Sequence, residues 1–531
     1  MNCLALEAGS RSILVDCGVL FPDDEAPGVD VIHPDFTYLV QGPARPEALI
    51  LTHGHEDHIG AVPYLLRQID VPVYGPPLAL ALVRERLKEH DLGREPRFVE
   101  TRPRVRFDAG PFSVEPIRVT HSMPDSTALC IDTPSCRVLH SGDFKIDRSP
   151  VDGQRFDEGR IRQLAAEGIA LLLSDSTNAE VAGESGSELD VRDVLGRLID
   201  GAQGAVFVAL FSSNVHRLQI LFDLAAEHGR KVTLVGRSVQ THERVALAAG
   251  LLRRRSDLVV EPEVAAGLPR RSILAVVSGT QGEPGSALTR IAAADPSRPM
   301  RVVHGDTVIF SNRVIPGNDR PVQRLFTALA RLGARVVHRS IEPGVHVSGH
   351  AHQTEQRALI EMCRPRAFVP IHGPRLFLER HAELARSVGV ANVRLIEDGE
   401  ALELDATGSL ETGGLVPHGR VHIDGSAIGP AALRERLVLA DVGVAVVVLP
   451  WRGRAPGGRP LVTFRGVTDP APGFEERAGR AVAEAIEEMP EVRRTDREDV
   501  RETARLALRR FVRNQLGRTP MAIAIVVEEG R

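Results

Sequence analysis

Along the first 180 or so residues, short apolar and β-branched runs alternate with polar loops. Ser12 to Val15, Ala48 to Leu51, Arg137 to His140 and Ala170 to Leu173 read as strands, and each ends in a cluster of His, Asp or Ser. In layered α/β proteins the loops leaving strand ends hold ligands and metals, because a rigid sheet positions them. From about 200 to 340 the rhythm becomes regular strand and helix alternation: Ala205 to Leu210 then Arg217 to His228, Lys231 to Val235 then Gln240 to Leu252, Ile273 to Val277 then Ser286 to Ala293. This predicts a parallel sheet with crossover helices. After 345 the first pattern returns, with His and Gly clusters at Val345 to His352 and Val369 to Gly373, as expected if one α/β domain is inserted into another.

Around Pro417 to Pro430 the chain turns Gly-, Pro- and Asp-rich with little periodicity, and reads as a linker. The last 90 or so residues predict a third, small α/β domain. Its strands are Val442 to Leu449, Pro460 to Phe464 and Met521 to Val527, and its amphipathic helices are Glu475 to Met489 and Asp499 to Leu516. The second helix carries arginines at 501, 505, 509, 510 and 513, a candidate RNA or partner face whose plainer reading is a solvated one.

Composition excludes several classes. An apolar share of 43% and a charged share of 25% over 531 residues are those of a globular chain of two or three domains. No apolar run is long enough for a membrane span and no leader pattern follows Met1, so a cytoplasmic location without membrane contact is expected. Cys3, Cys17, Cys130, Cys136 and Cys363 are odd in number and form no CxxC, which argues against a disulfide framework or a cysteine zinc site. The formal net charge of −5 excludes a uniformly basic coat but says nothing about where the arginines lie.

The strongest chemical signal is Leu51-Thr52-His53-Gly54-His55-Glu56-Asp57-His58-Ile59-Gly60, between a β run and an apolar helix-like segment. Alternation along an extended loop puts His53 and His55 on one side, and Asp57 and His58, at a helix start, face a second point. Imidazole and carboxylate are ligands that zinc accepts, and such density of them needs a cation to offset it. A polar loop with chance histidines is the alternative. One loop does not complete a site, and His121, Asp143 and His372, each following a β run, supply further candidates.

At these residues the chain resembles the metallo-β-lactamase-fold nucleases of the β-CASP group, and within them the bacterial ribonuclease J family. The resemblance rests on Asp16 in Leu-Val-Asp-Cys-Gly, the His53 to His58 motif, His121 in Thr-His-Ser-Met-Pro-Asp-Ser, and Asp143 in Ser-Gly-Asp-Phe-Lys. It extends to Asp175 in Ser-Asp-Ser-Thr-Asn, His350 in His-Val-Ser-Gly-His, His372 in Ile-His-Gly, Phe-Ser-Ser-Asn-Val-His-Arg (211–217) and Ser-Gly-Thr-Gln-Gly-Glu-Pro (278–284). It implies an αββα sandwich split as 1–188 and 344–425, a β-CASP insert at 189–343, a linker at 426–439 and a C-terminal domain at 440–531.

The resemblance also implies two Zn2+ per chain, with Mn2+ or Mg2+ as substitutes. One would be held by His53, His55, His121 and Asp143, the other by Asp57, His58, His372 and the shared Asp143, whose two oxygens can serve cations roughly 3.5–4 Å apart. Asp57 would also orient the attacking hydroxide. Asp16 would fix a histidine or the loop without ligating. His350 would reach the scissile phosphate or the leaving oxygen, with Asp175 holding its other nitrogen. Ser212, Ser213, Asn214 and the segment His346, Val347, Ser348, Gly349, His350 would grip the RNA backbone or a 5′-monophosphate, although Ser212 to Asn214 can also be read as a helix cap. The glycines at 278–285 lack the Gly-Lys-Ser/Thr ending of a phosphate-binding P-loop.

The implied activity is endonucleolytic and 5′-to-3′ exonucleolytic hydrolysis of RNA. RNA is favoured over DNA because His372 stands where DNA-processing branches carry an aliphatic residue. A homodimer or homotetramer and an RNA-degradation complex are the implied assemblies. Two competitors are a thioester or lactone metallo-hydrolase on the same fold and a non-catalytic RNA-binding paralogue. The chain departs from the family at its start, where Met1-Asn2-Cys3 aligns with the end of a first strand and turn: either the start is misassigned, or the first strand is absent and a neighbouring strand keeps unpaired edge groups.

Overall fold

The computed structural model describes residues 1–22, 26–467 and 471–528. The chain divides into two compact units: Met1–Leu20 with His33–Arg420, and Phe21–Ile32 with the chain from Val421 on.

The first unit is built on two facing sheets. One runs in the order Leu4–Ala8, Arg11–Val15, Arg45–Ile50, Val73–Gly75, Phe98–Glu100. The other runs Asn392–Val393, Ala367–Ile371, Leu171–Asp175, Arg137–His140, Thr127–Asp132, Phe112–Arg118, Phe107–Ala109. Apolar strand positions meet between them: Ile13, Val15, Ala48 and Ile50 pack with Val114, Leu129, Ile131, Val138, Leu171, Leu173 and Val369, and Val114, Leu129 and Ile131 lie outside the strand runs foreseen from the sequence. On the outer face of the larger sheet, Ile117, Cys130, Leu139, Leu172 and Phe368 pack with the helices Glu158–Glu167 and Gln353–Cys363 through Ile161, Leu164, Leu359 and Ile360. This is the αββα sandwich. Among the described residues Leu4–Ala8 pairs only with Arg11–Val15, at the edge of its sheet.

Strand Ala367–Ile371 pairs parallel with Leu171–Asp175, Asp175 opposite Ile371, so two segments nearly 200 positions apart share one sheet. Between them lies a separate five-stranded sheet, parallel throughout, ordered Lys231–Val235, Ile273–Val277, Val206–Ala209, Thr307–Phe310, Arg335–Val337. Its strands are apolar on both faces, as burial between crossover helices requires.

In the second unit, Val444–Arg452 pairs antiparallel with Leu461–Arg465 and parallel with Met521–Glu528. Helices Phe474–Glu487 and Arg497–Leu516 cover one face through Ala478, Val482, Val500, Ala504, Leu508 and Val512. Arg501 and Arg505 pair with Glu498 and Glu502 one turn earlier, so two of the five arginines noted above are engaged on their own helix.

The linker expected at 426–439 is overturned. That stretch holds strand Ser426–Ile428, paired with Arg420–Asp424, and most of helix Pro430–Val442. The helix buries none of its residues, and its apolar side chains, Leu433, Leu437, Val438 and Leu439, are spread around it and not gathered on one face, so periodicity had no clear stripe to detect. All five cysteines are free. Among the described residues no helix is long and apolar enough to cross a membrane.

Candidate metal centre

The candidate ligands leave strand ends of both sheets. Behind Arg45–Ile50 the chain reaches His55, the extended N-cap of helix Glu56–Ile59, which carries Asp57 and sets the His58 ring against His53 at 4.1 Å between centroids. That turn is wedged against Gly18, where a Cβ would lie 1.6 Å from the Asp57 carbonyl oxygen, so only glycine permits the approach.

His53 Nε2 and His121 Nε2 lie 3.0 and 3.1 Å from His55 Nδ1. Asp143 Oδ2 is 3.5 Å from His53 Nε2 and 3.9 Å from His121 Nε2. Zinc–nitrogen bonds of ~2.0–2.1 Å in a tetrahedron set ligand atoms about 3.3 Å apart, so these spacings suit a shared cation. In the second group, His58 Nε2 is 3.2 Å from Asp143 Oδ2 and 3.6 Å from Asp57 Oδ2, and His372 Nε2 is 3.2 Å from Asp57 Oδ2. The structure thus brings together both expected ligand sets, with Asp143 in each.

Whether these residues fit a cation can be judged from Asp143 itself. Its Oδ2 is buried with imidazole nitrogens of His58 and His53 at 3.2 and 3.5 Å but no donor at hydrogen-bonding geometry among the described residues, a costly arrangement that a cation would satisfy. Burial also holds His53 and His121 well below the usual imidazole range and His55 down to about 4, leaving three neutral rings whose nitrogens face one another. Neutral imidazole is the metal-binding form. The residues fit.

His58 and His372 behave oppositely. Burial alone would lower His58, but Asp143, Asp57 and Asp16 raise it to about 10. His372 overcomes its burial in the same way, raised by Asp143, Asp175 and Asp57. Without metal both are protonated at neutral pH, and a cation must displace those protons. Zinc titration into the metal-free protein should therefore release roughly two protons per chain at pH 7, and apparent affinity should rise with pH. Calorimetry in buffers of different ionisation enthalpy measures this, and metal uptake without proton release would contradict it.

Asp16 stands behind His58. Its Oδ2 accepts from His58 Nδ1 at 2.7 Å and from the Thr52 hydroxyl at 2.8 Å, while Oδ1 accepts the Thr52 backbone N–H at 2.8 Å. Asp16 and His372 both take the left-handed backbone that non-glycine residues rarely adopt, φ 59° and 58°. Since Asp16 leaves His58 Nε2 as the free nitrogen, Asp16→Ala should weaken cation binding by ~10–100-fold without unfolding the sandwich. A metal-competition titration checks this, and unchanged affinity would refute the orienting role.

Asp175 serves two histidines. Oδ2 is 2.8 Å from His350 Nδ1 and Oδ1 is 3.0 Å from His372 Nδ1. Only the first contact was expected. The second follows from the parallel register of Leu171–Asp175 with Ala367–Ile371, which sets His372 beside the carboxylate. Thr177 adds its hydroxyl to His372 Nδ1 at 2.9 Å. His350, raised above the usual range by Asp175 and then Asp143 against its burial, carries its proton readily near neutral pH.

The loop His346 to His350 passes directly over His121. His121 Nδ1 donates to the Gly349 carbonyl at 2.6 Å, and a Cβ on Gly349 would lie 2.9 Å from Ser122 Cβ. Ser348 Oγ accepts from the Asn178 amide and from the His350 N–H. Val347 is half-buried beside Gly186. Ser212 and Ser213 are half-buried, Ser212 bonding Ser238. Asn214 takes the helix-cap part: its Oδ1 accepts from the Arg217 N–H at the start of helix Val215–Glu227, and its Nδ2 donates one of its two hydrogens to Glu188. Thr52, Thr177 and Asn178 were missed as supports, although each lies inside or beside a quoted motif; short polar residues beside ligands are the signal that could have found them.

Two facing sheets with a histidine–aspartate centre on their strand-end loops define a metallo-β-lactamase-type hydrolase. Residues 2–182 match the metallo-beta-lactamase superfamily model and 333–395 the Zn-dependent metallo-hydrolase RNA specificity domain. Residues 203–329 match the ribonuclease J beta-CASP domain and 431–529 the ribonuclease J C-terminal domain. Ribonuclease J of Mycobacterium tuberculosis (strain ATCC 25618 / H37Rv) is 39% identical over 534 residues, 99% of this chain and 95% of that protein. Ribonuclease J of Sinorhizobium meliloti is 36% identical over 523 residues, 97% of this chain and 92% of that one. A protein of unknown function from Enterococcus faecalis V583 shares the fold, with a TM-score of 0.52 at 16% identity over 74% of this chain and 94% of that one. The chain belongs to the ribonuclease J family.

Proposed function

We propose that this protein is a cytoplasmic, zinc-dependent ribonuclease that hydrolyses RNA phosphodiesters both internally and from the 5′ end, favours 5′-monophosphate ends, and acts in RNA maturation, rRNA processing and mRNA decay. A homodimer or homotetramer, associated with an RNA-degradation complex, is the form proposed for it. The observation that carries the reading is Asp143, common to two ligand groups, with His350 Nδ1 3.9 Å from its Oδ2 and pinned by Asp175.

His53, His55, His121, Asp57, His58, His372 and the shared Asp143 would hold two divalent cations, which when bound would acidify a water and offset charge on phosphate oxygens. The rest falls to the chain. Asp57, half-exposed between His58 and His372, can orient the attacking water along the line to phosphorus. Asp175 occupies His350 Nδ1, so the proton His350 offers the leaving oxygen sits on Nε2. A small-molecule hydrolase would not need the inserted sheet or the Asp175–His350 pair, and a non-catalytic paralogue would not need an intact ligand set.

The experiment is digestion of 5′-end-labelled RNA bearing one or three phosphates. Mononucleotide release that favours the monophosphate form supports the reading. Inert RNA with cleavage of thioesters or lactones, or RNA binding without cleavage, would replace it with one of the competitors.

A further inference from the structure

Arg217, on helix Val215–Glu227, is wholly buried and directs every donor inward. Nε reaches Glu188 Oε2 at 2.9 Å and Nη2 reaches both Glu188 oxygens at 2.7 Å. Nη1 donates to the Ser311 carbonyl at 2.8 Å, to the Ser311 hydroxyl at 3.0 Å, and to His346 Nδ1 at 3.1 Å. The ion pair therefore joins the start of helix Glu188–Asp200, the end of strand Thr307–Phe310, and the loop that runs on to His350. Ser311 ties the same loop again, its hydroxyl donating to the Val345 carbonyl at 2.7 Å.

A guanidinium offers only donors and keeps its proton inside proteins. His346 Nδ1 must therefore accept, which leaves the ring's proton on Nε2. Burial and then the charge of Arg217 push His346 down to about 3, so the ring is neutral at any working pH. Nε2 has no hydrogen-bond partner among the described residues, and the side chain is only half-buried.

We propose that Arg217 is a positioning residue for the substrate: by occupying His346 Nδ1 it fixes the neutral tautomer that presents Nε2–H to an RNA phosphate oxygen. This rests on the reading of His346 to His350 as the phosphate-gripping loop. A neutral donor of this kind keeps its grip as pH changes, which an ordinary histidine, titrating near 6.5, would not.

Two measurements on the full chain test it. In 15N-histidine NMR, with the His346 signals assigned by difference against His346→Gln, Nδ1 is expected unprotonated and Nε2 protonated, unchanged between about pH 5 and 8. A proton on Nδ1, or an imidazolium in that range, overturns the proposal. The second measurement is kinetic. Arg217→Ala alone would strand a buried Glu188 carboxylate and can unfold the chain, so Arg217→Met is combined with Glu188→Gln to remove both charges together. For 5′-monophosphorylated single-stranded RNA this double variant should raise KM about tenfold, the scale of one well-placed hydrogen bond, with kcat held within about twofold. An unchanged KM, or a loss confined to kcat, overturns the proposal; should the double variant not fold, the NMR result decides alone. His346→Leu separates the two levels. If it leaves KM unchanged, the phosphate-loop reading fails and takes the proposal with it. If it raises KM while the double variant does not, the loop reading stands and the role of Arg217 falls.

Discussion

Replacing Asp143 by Ala is expected to bring RNA hydrolysis below detection and metal content from roughly two ions per chain to less than one. No other residue enters both ligand groups, and no neighbouring carboxylate can take its place: Asp57 already faces His58 and His372, and Asp175 is bound to His350 and His372. In the metal-free chain Asp143 stays ionised against its burial because the protonated His372 and His58 face it. Asp143→Asn is the sharper form of the test, since it keeps the volume and removes the charge. The fold should survive either change, because the residue sits in the loop after Arg137–His140 and the core on both sides of that strand is untouched. Metal analysis and a thermal midpoint taken with chelator present check both halves. A variant with full metal content, or with measurable hydrolysis, would contradict the assignment.

His350→Ala should lose about 10²–10⁴-fold in kcat while keeping its metal, the range for removal of a general acid. The geometry leaves room for a different outcome, because Asp143, Asp175, His350 and His372 also lie close enough to hold an ion. Metal content therefore decides between the roles. Retention with loss of kcat identifies a proton donor, whereas loss of an ion identifies a ligand. Asp175→Ala should be more damaging than its distance from the phosphate suggests, since it releases His350 and His372 together.

Much of this centre was legible in the sequence because its chemistry is local. The His53 to His58 motif announces itself through density, and the strand–loop–helix order around it divides the ligands between two points without any knowledge of tertiary structure. His121, Asp143 and His372 were individually ordinary and became informative only as strand ends and through the family motifs. The second contact of Asp175 could not be foreseen, because it depends on the register of two strands nearly 200 positions apart. The same holds for Arg217, whose motif was visible while its partners Glu188, Ser311 and His346 lie on three separate segments.

Helix Pro430–Val442 was missed for a different reason. Apolar periodicity reports burial, and this helix has none, so only its punctuation remained: proline in the first turn and Gly443 at φ 74° after the last. Those signals sat in a Gly- and Pro-rich neighbourhood that pointed to a linker. At Asn214 the cap reading held beside the phosphate reading is the one that the hydrogen bonds support. A residue in a substrate-like motif proved to be a helix cap, which its type and position before Val215–Glu227 already allowed.

The central claim, that two cations on these seven side chains perform RNA hydrolysis, is tested most directly by add-back. Metal-free protein is titrated with Zn2+ or Mn2+ while bound ions and cleavage of single-stranded RNA are followed together. The account predicts no cleavage without metal, and activity that rises with occupancy and saturates near two ions per chain. Cleavage by the metal-free protein, or full occupancy of the centre with no RNA hydrolysis, would contradict it.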